Sequence, residues 1–287
     1  MSDTTLNPNG SHDIVVGVDG SDESFAALRW ALHEASLTGQ QVNAVYAWSH
    51  SWDMGSEPED DGQWAETRHE IARKLRDWVA ESSQGMAIDE NRVKLTSVKA
   101  TGTSALLEIG KDAQQIVVGR RSLGRVARWF LGSLSASLAE EAKVPVTVVR
   151  ILDDEESSVQ DAIADALTPT VSNVTYDLPG SPLPRSQRPI VVGVDGSETS
   201  RHALRFAIDL AALHHAPLQV MFCWQLKDLG VIKGYENAVA PISVGQERAE
   251  RMLDELLDSV QIPVDSVPED FQIDSHAFHI APAKGLI

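Results

Sequence analysis

The chain carries one cysteine in 287 residues, Cys223, so it cannot close a disulfide within itself. That usage fits a reducing cytoplasm. The thiol falls in the apolar run 218–224, where a free cysteine serves as a small core hydrophobe. No apolar run approaches the roughly 20 residues a membrane-spanning helix needs. The polar segment 1–12 lacks the basic-then-apolar profile of a secretory signal. Positive charge is also scarce, with 24 Lys and Arg against 42 Asp and Glu, for a net charge of −18. A surface of that sign repels nucleic acid and anionic membranes, so neither is an expected partner. His33, His69, His202, His214 and His215 show no metal-ligand spacing with nearby Cys or Glu, and no nucleophile–base pair can be assembled from local spacing. Neither a metal site nor a catalytic residue is expected.

What the chain does contain is a repeat. Ile-Val-Val-Gly-Val-Asp-Gly-Ser occurs at 14–21 and again at 190–197, a spacing of 176. The match runs on without a gap, Ala27-Leu28-Arg29 recurring as Ala203-Leu204-Arg205 and Trp48 as Trp224. This is a tandem duplication of one domain. Each copy opens on a β-branched buried strand, 14–18 or 190–194. The turn Asp-Gly-Ser follows, with Ser21 or Ser197 as N-cap of a helix whose apolar stripe in the first copy is Ala27, Leu28, Ala31 and Ala35. A second strand is expected at 42–48 or 218–224. In the first copy a long helix over 64–82 then buries Ile71, Leu75, Trp78 and Val79. Strands at 92–98, 115–119 and 146–151, with helices at 103–112 and 133–143, complete it. Alternating strands and helices imply a parallel α/β sheet with right-handed crossovers.

The expected organisation is a first domain over 1–151, a linker over 152–189, and a second, shorter domain over 190–287. The linker is acidic at Asp153-Asp154-Glu155-Glu156 and rich in Pro, Ser and Thr towards its end. The second copy keeps strand one, helix one, strand two and a long helix at 246–260. It reaches Ile287 where the helix aligned with 103–112 is expected to begin.

The stretch from Ile116 to Ala136 carries the most chemistry. An apolar strand ends at Gly119, and thirteen residues on Gly132-Ser133 opens a helix through Leu134, Leu138 and Ala142. A loop leading into a glycine-started helix presents unpaired N–H groups and the positive dipole end, which suits phosphate. It is not a Walker loop, since no Gly-Lys-Ser/Thr follows these glycines. Arg120, Arg121, Arg125 and Arg128 crowd the same stretch and serve either as a solvated face or as anion contacts.

With the strand ends Val-Asp-Gly-Ser and Val-Val-Gly and the Gly-Ser helix start, the chain resembles the tandem type of the universal stress protein family. The resemblance covers essentially all of 12–151 and about half of the second copy. It implies a Rossmann-like sheet of five parallel strands in order 3-2-1-4-5. Many members bind ATP through glycine, two residues, glycine, nine residues, then glycine with serine or threonine. Here that pattern reads Gly119, Arg120-Arg121, Ser122, nine residues, Gly132-Ser133, with Ser122 where the second glycine stands. The resemblance assigns Asp19 to the ribose or adenine edge and the Ala47 backbone to adenine. It sets Val118 and Gly119 beside the nucleotide, and Ser122, Gly132, Ser133, Leu134 and Ser135 around the phosphates.

The expected function is that of a cytoplasmic stress-response protein that binds ATP or a related adenine nucleotide, with Mg²⁺, in its first domain. It acts through conformation or partners, with at most slow hydrolysis. The alternative is an interaction protein of the same fold that has lost nucleotide binding. A homodimer through the edge strand at 146–150 is expected, because an open apolar edge invites pairing.

Overall fold

The first valine-rich run becomes a central strand because both of its faces find apolar partners. In the computed structural model, which describes residues 13–48, 60–86, 89–120, 133–151, 189–260, 267–268 and 271–286, the chain divides into two compact units. In the first, β1 (Ile14–Gly17), β2 (Val42–Trp48), β3 (Val93–Lys99), β4 (Gln115–Gly119) and β5 (Val146–Val149) form one parallel sheet in order β3-β2-β1-β4-β5. The expected strand order is the observed one. Ile14 and Val16 of β1 face α1 (Asp22–Thr38) and α2 (Asp61–Ser82), packing with Leu28, Leu32 and Leu75. Val15 faces α3 (Gly102–Ile109) and α4 (Ser133–Glu141), packing with Leu106 and Leu138. Burying two apolar faces at once is what fixes the register.

The caps follow from sequence. Ser21 accepts the Ser24 N–H at 3.2 Å to start α1, and Gly39 ends it at φ +73°. Asp60 accepts the Gln63 N–H at 2.8 Å, so α2 starts at Asp61, three residues before its expected position. Ile71 and Leu75 are buried and Trp78 and Val79 are half-buried, the stripe read from the helical period.

In the second unit β6 (Ile190–Val194), β7 (Leu218–Cys223) and β8 (Ile273–Phe278) form a parallel sheet in order β6-β7-β8. On one face α5 (Glu198–His214) and α6 (Ile242–Ser259) bury Val192, Val220 and Phe222 against Leu204, Ile208 and Leu253, with Trp224 fully enclosed. On the other face lies a short helix, α7 (Pro282–Gly285). Leu286 sits over Gly193 there as Leu106 sits over Gly17 in the first unit. A Cβ on either glycine would meet the leucine at 2.5 Å and 3.0 Å respectively.

In the second unit two elements differ from expectation. Helix α6 begins at Ile242 rather than 246, with Pro241 setting its entry. Strand β8 was not anticipated. Its side chains alternate half-buried and exposed, but Asp274, Ser275 and His276 hide that alternation from an apolar count.

Candidate functional site

The carboxyl ends of β1, β2 and β4 meet where the strand order reverses, with β1 pairing β2 on one side and β4 on the other. Helices leave these strands to opposite faces, so the strand ends open a crevice between them. A cleft of about 450 Å³ lies there, within the usual range for ligand pockets of about 300–1,000 Å³.

The β1 side of the cleft is a rigid turn. The Val18 N–H still bonds the Val45 carbonyl at 2.9 Å, after which the chain leaves the sheet. Asp19 Oδ1 accepts both the backbone N–H of Ser21, at 3.0 Å, and its hydroxyl. The Asp19 N–H donates to Ser24 Oγ at 3.3 Å. Gly20 takes φ +88°, a conformation a side chain would resist. The carboxylate is therefore fixed at the cleft wall beside the first turn of α1.

The β2 side contributes Val45 and Ala47, the latter small enough to leave the space open. Next to it, but on the opposite face, Tyr46 meets Trp78 edge-to-face with ring centroids 5.3 Å apart. Burial, and then the charge of Asp19, push the Tyr46 phenol above its usual value.

On the β4 side Val118 and Gly119 line the cleft. Gly119 is required by packing as well as by any ligand, since a Cβ there would strike the Glu23 carbonyl of α1. Helix α4 begins at Ser133, and Leu134, Ser135 and Ser137 close the wall, with Ser135 buried. The remaining wall is the start of α3. Thr101 caps that helix by accepting the Ser104 N–H at 3.3 Å, and Gly102 and Thr103 of the first turn line the cleft.

Six residues expected at the site, Asp19, Ala47, Val118, Gly119, Leu134 and Ser135, thus line one cleft. Ser133 stands at the helix start beside it. Ser122 and Gly132 lie outside the described residues, as do Arg121, Arg125 and Arg128. Arg120 follows β4, its N–H bonded to the Val149 carbonyl at 2.8 Å. The sequence reading missed Ser21, Ser24, Gly102, Thr103 and Ser137. A signal for two of them was present: a helix that follows β3 and leads to β4 must start at the carboxyl end of the sheet, so Gly102 and Thr103 belong to the same rim.

Chemically, the wall offers one oriented carboxylate, several hydroxyls, and the first turns of α3 and α4. A carboxylate accepts from hydroxyls, while hydroxyls and helix-start amides suit an anion. Among the described residues no three His, Cys, Asp or Glu gather as a metal site, and no helix is long and apolar enough to cross a membrane.

An open parallel sheet with its strand order reversed in this way defines a doubly wound α/β protein. A profile of the universal stress protein family matches residues 10–150 and 187–273, and the chain belongs to that family. A universal stress protein of Mycobacterium tuberculosis is 29% identical over 266 residues, spanning 91% of this chain and 79% of its own length. The solved universal stress protein from Archaeoglobus fulgidus aligns with 93% of this chain and 78% of its own, at 13% identity and a TM-score of 0.51. A universal stress protein solved in complex with cAMP aligns with 50% of this chain at 23% identity and a TM-score of 0.36.

Proposed function

We propose that the cleft of the first unit binds an adenine nucleotide, ATP or a close relative, and that the protein answers stress by the state of that site. One observation carries the reading. A carboxylate locked by Ser21 faces, across a single cleft at the strand-order reversal, the ends of β4 and the first turns of α3 and α4. Asp19 would accept from the ribose hydroxyls, and the Ala47 backbone would border the base. Val118 and Gly119 would flank the nucleotide. Ser122, Gly132, Ser133, Leu134 and Ser135 would surround the phosphates, as the family pattern implies. Mg²⁺ would arrive on the phosphates, screening their charge in an acidic protein.

In this reading residues 1–151 form the binding domain, 152–189 the linker and 190–287 a second domain. The protein works in the cytoplasm and binds rather than turns over its nucleotide. Strand β5 stands at the sheet edge and would pair with its counterpart in a second copy.

Calorimetric titration with ATP, AMP and cAMP tests the central claim. Saturable binding tighter than about 1 mM, equivalent to about −4 kcal/mol, is expected for at least one of them. No saturable binding would favour an interaction protein of the same fold.

A further inference from the structure

Both copies build the same Asp-Gly-Ser turn. Asp19 accepts the Ser21 N–H at 3.0 Å, and Asp195 accepts the Ser197 N–H at 2.9 Å. Gly20 and Gly196 both stand at positive φ, +88° and +81°. Ser21 and Ser197 both cap the following helix. The turns differ in what lies against them. In the first unit a Cβ on Gly20 would be 2.6 Å from Trp78 Cζ2, so the indole is pressed onto the turn. In the second unit the neighbour of Gly196 is the Met252 methyl, at 3.5 Å, an ordinary contact.

Trp78 also meets Phe25 of α1, with ring centroids 6.2 Å apart, and Tyr46 of β2, at 5.3 Å, both edge-to-face. It therefore touches three pieces that shape the cleft: the Asp19 turn, the first turns of α1, and the strand residue before Ala47. The second copy is an internal control. It shows that neither the turn nor its hydrogen bonds need an aromatic ring to form. What the ring adds is constraint. A rigid indole wedged between two other rings holds a neighbouring glycine where a flexible thioether does not.

We infer that Trp78 is a positioning residue for the ligand cleft, a clamp from α2 that holds the Asp19 carboxylate in its binding orientation. This rests on the nucleotide reading above. The clamp links the site to α2, so a displacement of that helix would loosen the carboxylate without touching the ligand.

The test compares the wild-type chain with Trp78→Met, which copies the second unit, and Trp78→Phe, which keeps a ring. The first readout is made without ligand. Amide hydrogen exchange over 20–24 should quicken in Trp78→Met and stay near wild type in Trp78→Phe, with residues 196–200 unchanged in both. Equal exchange in all three proteins overturns the clamp, whether or not any nucleotide binds. The second readout is affinity for ATP. Trp78→Met should weaken it roughly tenfold, Trp78→Phe only slightly, and Trp78→Met added to Asp19→Ala should cost nothing further. Independent, additive losses would show a merely structural role and overturn the inference. Failure of the wild type to bind sinks the nucleotide reading and the ligand half of this inference, while the exchange measurement still decides whether the clamp exists.

Discussion

Gly119 and Glu23 meet backbone to backbone, so that any Cβ on Gly119 would overlap the Glu23 carbonyl. The end of β4 thereby fixes how far the first turn of α1 can approach the cleft. The same contact explains the glycine without invoking a ligand.

Gly119→Ala should therefore destabilise the first unit by about 1–3 kcal/mol, the usual cost of overpacking, because a backbone cannot swing aside as a side chain can. Urea denaturation followed by hydrogen exchange in each unit would show the loss confined to residues 13–151. An unchanged midpoint would mean that α1 withdraws freely.

The two copies end their first helix at equivalent positions with different residues. Gly39 stands at φ +73°, and His215, 176 residues on, stands at φ +49°. A histidine held left-handed costs about 1–2 kcal/mol that glycine avoids, in part returned through the freer unfolded chain. His215→Gly should raise the stability of the second unit by up to about 1 kcal/mol. A drop on substitution would show that the imidazole makes a contact worth more than the strain.

Ser21→Ala and Ser197→Ala remove the same helix cap and should each cost about 1 kcal/mol of stability. Only the first should also weaken nucleotide binding, because Ser21 holds Asp19. Asp19→Ala should lower affinity by about 1.5–3 kcal/mol through lost charged hydrogen bonds, whereas Asp195→Ala should change nothing. Cys223 replaces Ala47 in the second copy, and Gly285 packs over it: a Cβ on Gly285 would lie 2.5 Å from the sulfur. Titration should give one nucleotide per chain, and a value of two would show that the second unit builds a site by another route.

Asp195 gives a pH signature. The Ser197 hydroxyl, and then its backbone N–H, hold this carboxyl below its ordinary value of 3.8. Its contribution is complete above that value, where the carboxyl is ionised both folded and unfolded. As pH falls, the unfolded chain takes the proton first, and the contribution drains away until the folded carboxyl is protonated as well. The group is exposed, so the effect is small. Asp195→Asn should flatten the pH dependence of the second unit's urea midpoint below about pH 4, with its small loss of stability fully present at pH 7.

Much of the fold was legible because its signals are local. The 176-residue repeat, the period-two and period-3.6 stripes, and the serine caps each follow from neighbours in sequence. Strand β8 was not, since His276 and Asp274 occupy its exposed positions and the pairing with β7 that makes it a strand is tertiary. The Asp19 and β4 ends of the cleft came from motif spacing. Ser137 did not, because only the rotation of α4 brings it to the rim. Nor could spacing separate the two meanings of Gly119, since the clash with Glu23 joins residues 96 positions apart.

The register that seats Ile14 against Gln115 bears on the birth of the protein. During synthesis β1 must wait for about a hundred more residues before its second neighbour leaves the ribosome, and such distant parallel pairing is slow. Until then the nascent chain can only zip β1, β2 and β3, leaving an apolar edge and one uncovered face of the sheet. The second unit pairs its strands in the order they are made, with no such wait. A ribosome-bound chain stalled with residues 1–110 exposed should therefore bind a holdase chaperone, and one stalled after residues 1–150 are exposed should release it.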